Sequence, residues 1–201
     1  MADYTPAHSA ADGENRMSIT SQKPSTIAVW AGEETPLAFG AAQVPIVQSA
    51  PFAYEDMDEW AAVALGQAEG YIYSRNTNPT VGVFEEKCRI LEGGEKAIAF
   101  ASGMAAISNT LLSLLSPGDR VVSIKDSYGG TSRLFMDTLP RMHIDVDLVE
   151  TSDADAIDAA IEKGCELVYL ETPTNPTLKI IDLDRAIRAA KKRGAIVVVD
   201  N

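Results

Sequence analysis

Leu183-Asp-Arg-Ala-Ile-Arg-Ala-Ala-Lys-Lys-Arg193, then Gly194, then Ala195-Ile-Val-Val-Val-Asp200-Asn201 is the stretch that decides the architecture. The first part reads as a helix stopped by glycine, and Ala195 to Val199 is an apolar run of strand length. A continuous β-branched run, without polar alternation, belongs to a strand buried on both faces. Working backwards, Leu167–Glu171, Ile144–Val149, Arg120–Ile124 and Ala97–Phe100 read as four earlier strands. Helices are expected between them, after Ser102 to Leu115, over Arg133–Leu139, and from a capping box at Ser152-x-x-Asp155 to Lys163. A further helix is expected over Val81–Leu91, stopped by Gly93-Gly94. Alternation of this kind predicts an α/β fold with a mostly parallel sheet under covering helices.

The amino-terminal third differs. Residues 1–26 are rich in Ala, Ser, Thr and Asp without apolar period, and are expected to form a flexible tail. Over 27–60, Pro36, Pro45 and Pro51 forbid a long helix, which predicts an extended arm. A helix is expected from Asp58 to Ala68, leaving 61–201 as the first part of a large α/β domain. The tetrapeptide Thr-Asn-Pro-Thr occurs at 77–80 and again at 174–177, but the flanking residues do not match, so it is not an internal repeat.

Composition removes several function classes. The 201 residues carry 17 Lys+Arg against 29 Asp+Glu, a net charge of −12, which disfavours nucleic acid or an anionic membrane as partner. No signal-peptide core and no run of about 20 apolar residues is present, so a cytoplasmic location is expected. Two cysteines, Cys88 and Cys165, make no disulfide framework, and two distant histidines make zinc sites and serine–histidine triads poor candidates. The fingerprints of dinucleotide, P-loop and α/β-hydrolase sites are absent.

Polar residues at the expected carboxyl ends of strands remain. Ser102-Gly103-Met104 opens a helix, whose first N–H groups make an anion cradle suited to phosphate; the plain alternative is a Ser cap and a tight turn. Asp126-Ser-Tyr128-Gly-Gly-Thr131 places an aromatic ring beside paired glycines, able to lie against a planar ligand or merely to cover a turn. Glu171-Thr-Pro-Thr-Asn175-Pro176 is a proline-stiffened loop that either holds Asn175 as a hydrogen-bonding group or forms a simple turn. Asp200 ends an apolar strand and needs a cationic or hydrogen-bonding partner; a protonated pyridine would serve, with metal coordination as the competitor.

In order along the chain, Tyr73-Ser-Arg75-Asn-Thr-Asn-Pro-Thr80, Ala101-Ser-Gly-Met-Ala-Ala-Ile107, Asp126-Ser-Tyr-Gly-Gly-Thr131, Glu171-Thr-Pro-Thr-Asn-Pro176 and Val199-Asp-Asn201 resemble the Cys/Met-metabolism family of pyridoxal-phosphate enzymes. That family includes cystathionine γ-synthase, cystathionine lyases, methionine γ-lyase and O-acetylhomoserine sulfhydrylase. The resemblance runs from about Ile27 to the end, including the arm Val44-Pro-Ile-Val-Gln-Ser.

The resemblance implies a fold-type I, aspartate-aminotransferase-like domain and pyridoxal 5'-phosphate as cofactor. It implies that Ser102, Gly103 and Met104 meet the cofactor phosphate, and that Tyr73 and Arg75 reach the phosphate of a neighbouring subunit in a homo-oligomer. Tyr128 would stack on the ring and assist proton transfer, and Asp200 would keep the ring nitrogen protonated. Asn175 would sit beside ring or substrate, with Glu171 supporting its loop. No metal is implied.

The family's Schiff-base lysine and its carboxylate-gripping arginine lie beyond the Asp200-Asn201 pair, and none of the eight lysines here, Lys125 included, matches that position. The domain is therefore expected to be incomplete at the carboxyl terminus, inactive alone, and completed by a carboxyl-terminal partner chain that carries the lysine. Relatives that degrade methionine often carry Cys where this chain has Gly130, which points away from methionine γ-lyase. The expected activity is γ-replacement or γ-elimination on small sulfur amino acids or O-acyl-homoserine. A β-lyase, a methionine γ-lyase and a non-catalytic subunit of the same fold are the alternatives.

Overall fold

The computed structural model describes residues 18–33, 37 and 40–201, which group into two compact units, Met1–Ala99 and Phe100–Asn201. In the first unit a short 3-10 turn at Ile19–Ser21 precedes helix α1 (Pro24–Trp30), followed by α2 (Met57–Ala64) and α3 (Pro79–Glu92). Pro24 stands in the first turn of α1, where a missing N–H costs nothing. Lys87 of α3 ties α1 down by donating to the Val29 carbonyl and pairing with Glu33 at 2.6 Å.

Asn78 explains where α3 begins. Its Oδ1 accepts from the Thr80 N–H at 2.9 Å, and its Nδ2 donates to the Val47 carbonyl at 3.0 Å. One capping residue thus starts the helix and pins the segment around Val47 to it. Thr80 repeats the device, donating to the Pro45 carbonyl and accepting from the Val47 N–H, both at 2.9 Å. Gly93, at φ 66°, closes α3 in the left-handed conformation that glycine adopts without penalty.

Two sequence expectations change in this unit. Helix α1 occupies the end of the expected tail and the start of the expected arm, because Pro24 favours a helix start rather than opposing one. The tail up to residue 17 lies outside the described residues. The expected strand over Ala97–Phe100 does not form: no other strand pairs with it among the described residues, and the Ala99 N–H bonds to the Glu85 carboxylate at 2.8 Å instead.

The second unit runs α4 (Gly103–Leu114), β1 (Arg120–Ile124), α5 (Gly129–Arg133), a π-helical turn (Leu134–Thr138), α6 (Leu139–Arg141), β2 (Asp145–Val149), α7 (Ala154–Glu162), β3 (Leu167–Glu171), α8 (Leu183–Arg193) and β4 (Ile196–Asp200). The single helix expected over Arg133–Leu139 is thus broken by a wide turn. Pro140 follows it and has no N–H to continue an α-helical ladder. Helix α7 is capped by Asp153, whose carboxylate accepts from the Ala156 N–H at 2.9 Å, not by Ser152. A charged acceptor at a helix N-terminus interacts more favourably with the helix dipole than a hydroxyl does.

The four strands form one parallel sheet in the order β2-β1-β3-β4. Every residue of β3 is buried, as the apolar run required. Val122, Ile124, Val168 and Leu170 face a core completed by α7 and α8. Val121, Leu167 and Tyr169 face the opposite core, with Leu111 of α4, Phe135 and Leu139. The chain leaves β1 for β2 on one side and returns to β3 on the other, so the order reverses between β1 and β3. In open α/β sheets the ligand crevice lies outside the carboxyl ends of the strands at such a reversal.

Candidate active site

Loops leave the carboxyl ends of β1 and β3, β4 ends beside them at Asp200, and α4 points its N-terminus towards the same place. Ser102, Gly103, Met104, Tyr128, Glu171, Asn175 and Asp200 line one cleft of about 510 Å³ together with Ile107, Pro173 and Asn201. Seven of the nine residues singled out in the sequence therefore converge. Tyr73 and Arg75 lie in the other unit, where both are exposed and the Arg75 guanidinium stands 4.6 Å from the centre of the Tyr73 ring.

Ser102 caps α4, its hydroxyl accepting from the Ala105 N–H at 3.1 Å. That occupies the hydroxyl and leaves the Gly103 and Met104 N–H groups with no acceptor among the described residues. A Cβ on Gly103 would meet nothing within 4 Å, and its φ is not positive, so neither packing nor backbone conformation inside this chain calls for glycine there. Ser102 is thus a cap, and the cap leaves an open pair of donors.

Tyr128 precedes α5 and is half exposed. The Met104 side chain packs beneath it: a Cβ on Gly130 would come 2.7 Å from the Met104 sulfur and 2.9 Å from the Tyr128 ring. Gly130 is glycine because two cleft residues close over it.

Glu171 is buried, and its two oxygens are both used. Oε2 accepts from the Tyr128 N–H at 2.8 Å and Oε1 from the Asn175 N–H at 2.6 Å. It acts as a brace joining the loops after β1 and β3 by their backbones. The loop after β3 has cis peptides at Thr172-Pro173 and Asn175-Pro176, and buried Thr174 bonds it to itself through Thr177 and Lys179.

Asp200 is half buried, and the Tyr169 hydroxyl donates to its Oδ2 at 2.7 Å. Among the described residues no cation pairs with it and nothing donates to Oδ1. Tyr169 is fully buried, and burial, reinforced by the neighbouring Asp200 carboxylate, pushes its phenol well above the ordinary range, so it remains a donor.

Sequence reasoning missed Tyr169, which reads as one more apolar strand residue, and Lys179, which stands in no motif. Lys179 pairs with Asp126 at 2.7 Å, a second tie between the same two loops, and with Glu150, just after β2, at 3.4 Å. Lys179 holds the Asp126 carboxyl below its usual value, helped by the Thr151 hydroxyl. Lys125 pairs instead with Glu150 at 3.8 Å, and no lysine lines the cleft.

A parallel sheet with this cleft at its reversal point, an open helix N-terminus on one side and an uncompensated carboxylate on the other, defines the cofactor domain of a fold-type I pyridoxal-phosphate enzyme. The chain belongs to the Cys/Met metabolism PLP-dependent enzyme family, whose sequence model matches residues 25–201. It is 41% identical over 177 residues to the L-methionine gamma-lyase of Fusobacterium nucleatum subsp. polymorphum, covering 88% of this chain and 45% of that one. It is 41% identical over 162 residues to the cystathionine gamma-lyase of Bacillus subtilis, covering 81% and 40%. A crystal structure of an O-acetylhomoserine (thiol)-lyase type protein from Campylobacter jejuni superposes with a TM-score of 0.83 at 32% identity, covering 90% of this chain and 44% of that one, and contains an N'-pyridoxyl-lysine-5'-monophosphate. The chain thus spans less than half the length of these relatives.

The donor set fits the family's cofactor. Two free N–H groups suit a phosphate, the Tyr128 ring suits a flat heterocycle, and a carboxylate without a protein cation suits a protonated ring nitrogen. No described helix is long and apolar enough to cross a membrane.

Proposed function

We propose that this chain forms the cofactor-holding part of a trans-sulfuration enzyme acting by γ-replacement or γ-elimination on cystathionine-like or O-acyl-homoserine substrates. The observation that carries the reading is the convergence of the α4 N-terminus, Tyr128, Asn175 and Asp200 on one cleft with no lysine in it. Pyridoxal phosphate, when bound, supplies an electron sink for charge developing at an amino acid's α-carbon.

The chain's own residues bind and orient it. The Gly103 and Met104 N–H groups bind the phosphate, where the helix dipole adds to two hydrogen bonds. Asp200 keeps a proton on the ring nitrogen. Tyr128 covers one ring face, excludes water from it, and is placed to move a proton at its hydroxyl. Asn175 donates from the rim of the cleft, and Glu171 keeps Tyr128 and Asn175 in register without touching the ligand. Tyr73 and Arg75 serve the phosphate of a neighbouring subunit, for which Arg's planar fork is suited. The lysine that carries the cofactor comes from polypeptide outside these 201 residues. Methionine as substrate is the second reading, favoured by the 41% identity to a methionine gamma-lyase.

The test uses the complete polypeptide supplied with pyridoxal phosphate. Keto-acid release from L-cystathionine and thioether formation from O-acyl-homoserine with cysteine are expected, and Asp200→Ala abolishes both. Near-normal turnover in that variant, or no reaction with either substrate by the unaltered protein, overturns the reading.

A further inference from the structure

We propose that Tyr169 is a positioning residue that sets the cofactor's ring nitrogen through Asp200. The inference rests on the role given to Asp200 above and extends it to a residue that does not line the cleft.

Tyr169 sits in the middle of β3 with no exposed surface. Its partner across the β3–β4 ladder is Val198, and Asp200 lies two residues further along β4, on the same face of the sheet. A tyrosine is long enough to cover that step, and its hydroxyl meets Asp200 Oδ2 at 2.7 Å. The ring itself is fixed by an edge contact with Phe135, centre to centre 5.2 Å at 69°. The core residues on its own side of the sheet, Leu111, Val121, Phe135, Leu139 and Leu167, are purely apolar, so a phenylalanine would satisfy that core. The hydroxyl is a polar group carried into the interior, and such a group is retained where it has a partner to serve.

What it does there follows from its charge. An arginine or lysine against Asp200 would orient the carboxylate but also neutralise it. A neutral hydroxyl fixes the rotation by bonding one oxygen and leaves the negative charge for a cation in the cleft. Burial, with the Asp200 carboxylate beside it, raises the phenol's pKa, so Tyr169 stays a donor wherever Asp200 is charged.

The apo form of the complete polypeptide is titrated with two probes. Pyridoxine 5'-phosphate has the ring nitrogen and no aldehyde, and its 1-deaza counterpart has C–H in place of that nitrogen. The unaltered protein is expected to bind the nitrogen-bearing probe more tightly. Tyr169→Phe is expected to weaken it about tenfold, the scale of one hydrogen bond to a charged group, and to leave the deaza probe unchanged. Equal losses for both probes assign Tyr169 a packing role and overturn the proposal. Equal binding of the two probes to the unaltered protein, or binding of neither, removes the Asp200 role and this proposal with it. A ratio that survives Tyr169→Phe removes the proposal alone. Should the Phe variant not fold, 4-fluorophenylalanine at position 169 keeps the shape and removes the donor. It must then lower the ratio, and an unchanged ratio refutes the proposal.

Discussion

Glu171 Oε2 accepts the backbone N–H of Tyr128 at 2.8 Å across 43 residues of sequence. The other oxygen takes the Asn175 N–H, so a single buried carboxylate fixes the backbones of two loops that rim the cleft. Glu171→Gln puts an NH₂ group where one of those acceptors stood, leaving a buried donor facing a donor. The expected cost is about 1–3 kcal/mol in urea denaturation, with faster amide exchange at Tyr128 and Asn175. Unchanged exchange at both amides would show that the loops hold their shape without the brace.

The Lys179–Asp126 pair gives stability a pH dependence whose sign is determined. Asp126 is held below its unfolded value, chiefly by its hydrogen bond to Lys179, so its contribution is present above about pH 4 and fades as pH falls through the folded value. Lys179 is raised by Asp126, so its contribution is complete below about pH 10.4 and is lost as pH climbs through the folded value. Both groups are partly exposed, which limits the size of the effect. Urea midpoints measured across pH are expected to flatten at both edges in Lys179→Met, and a profile identical to the unaltered chain would rule the pair out as a determinant.

Adjacent glycines are expected to respond oppositely. A Cβ on Gly129 meets nothing within 4 Å, so Gly129→Ala should gain up to about 1 kcal/mol from helix propensity in α5. A Cβ on Gly130 collides with Met104 and the Tyr128 ring. Gly130→Ala is therefore expected to shift those two side chains and to weaken pyridoxal-phosphate binding several-fold, read by fluorescence titration. Equal cofactor affinity in the two variants would contradict the packing described for Met104.

Cys165 is buried beside the α7–α8 core, and burial raises its thiol above the ordinary value. Its thiolate is therefore scarce and shielded. Disulfide-exchange reagents at neutral pH are expected to leave it unmodified in the folded chain and to reach it once urea unfolds the protein. Rapid labelling at Cys165 in the native state would mean that α7 and α8 open readily.

Much of this arrangement could be read before any coordinates. Strands β1 and β3 occupy the residues their apolar runs specified, because burial leaves a continuous apolar signature, and α8 ends where Gly194 stops it. Seven of the nine site residues lie where strand ends and a helix start were expected, since polar residues after such strands have few other places to go. The misreadings share a cause. Ala97–Phe100 has a strand's composition but no neighbour to pair with among the described residues, and pairing is a property of the sheet rather than of the segment. Ser152 and Asp153 both make caps, and only the geometry of the loop chooses between them.

Order along the chain determined the kind of fold, the family and which residues gather in the cleft at the sheet's reversal. Distances across the sheet decided the rest: that Glu171 is a brace whose oxygens are already taken, that Lys179 joins two loops 53 residues apart, and that Tyr169 reaches Asp200. Those contacts join positions far apart in sequence, and a hydrogen bond depends on separation in space, which only strand order and register establish.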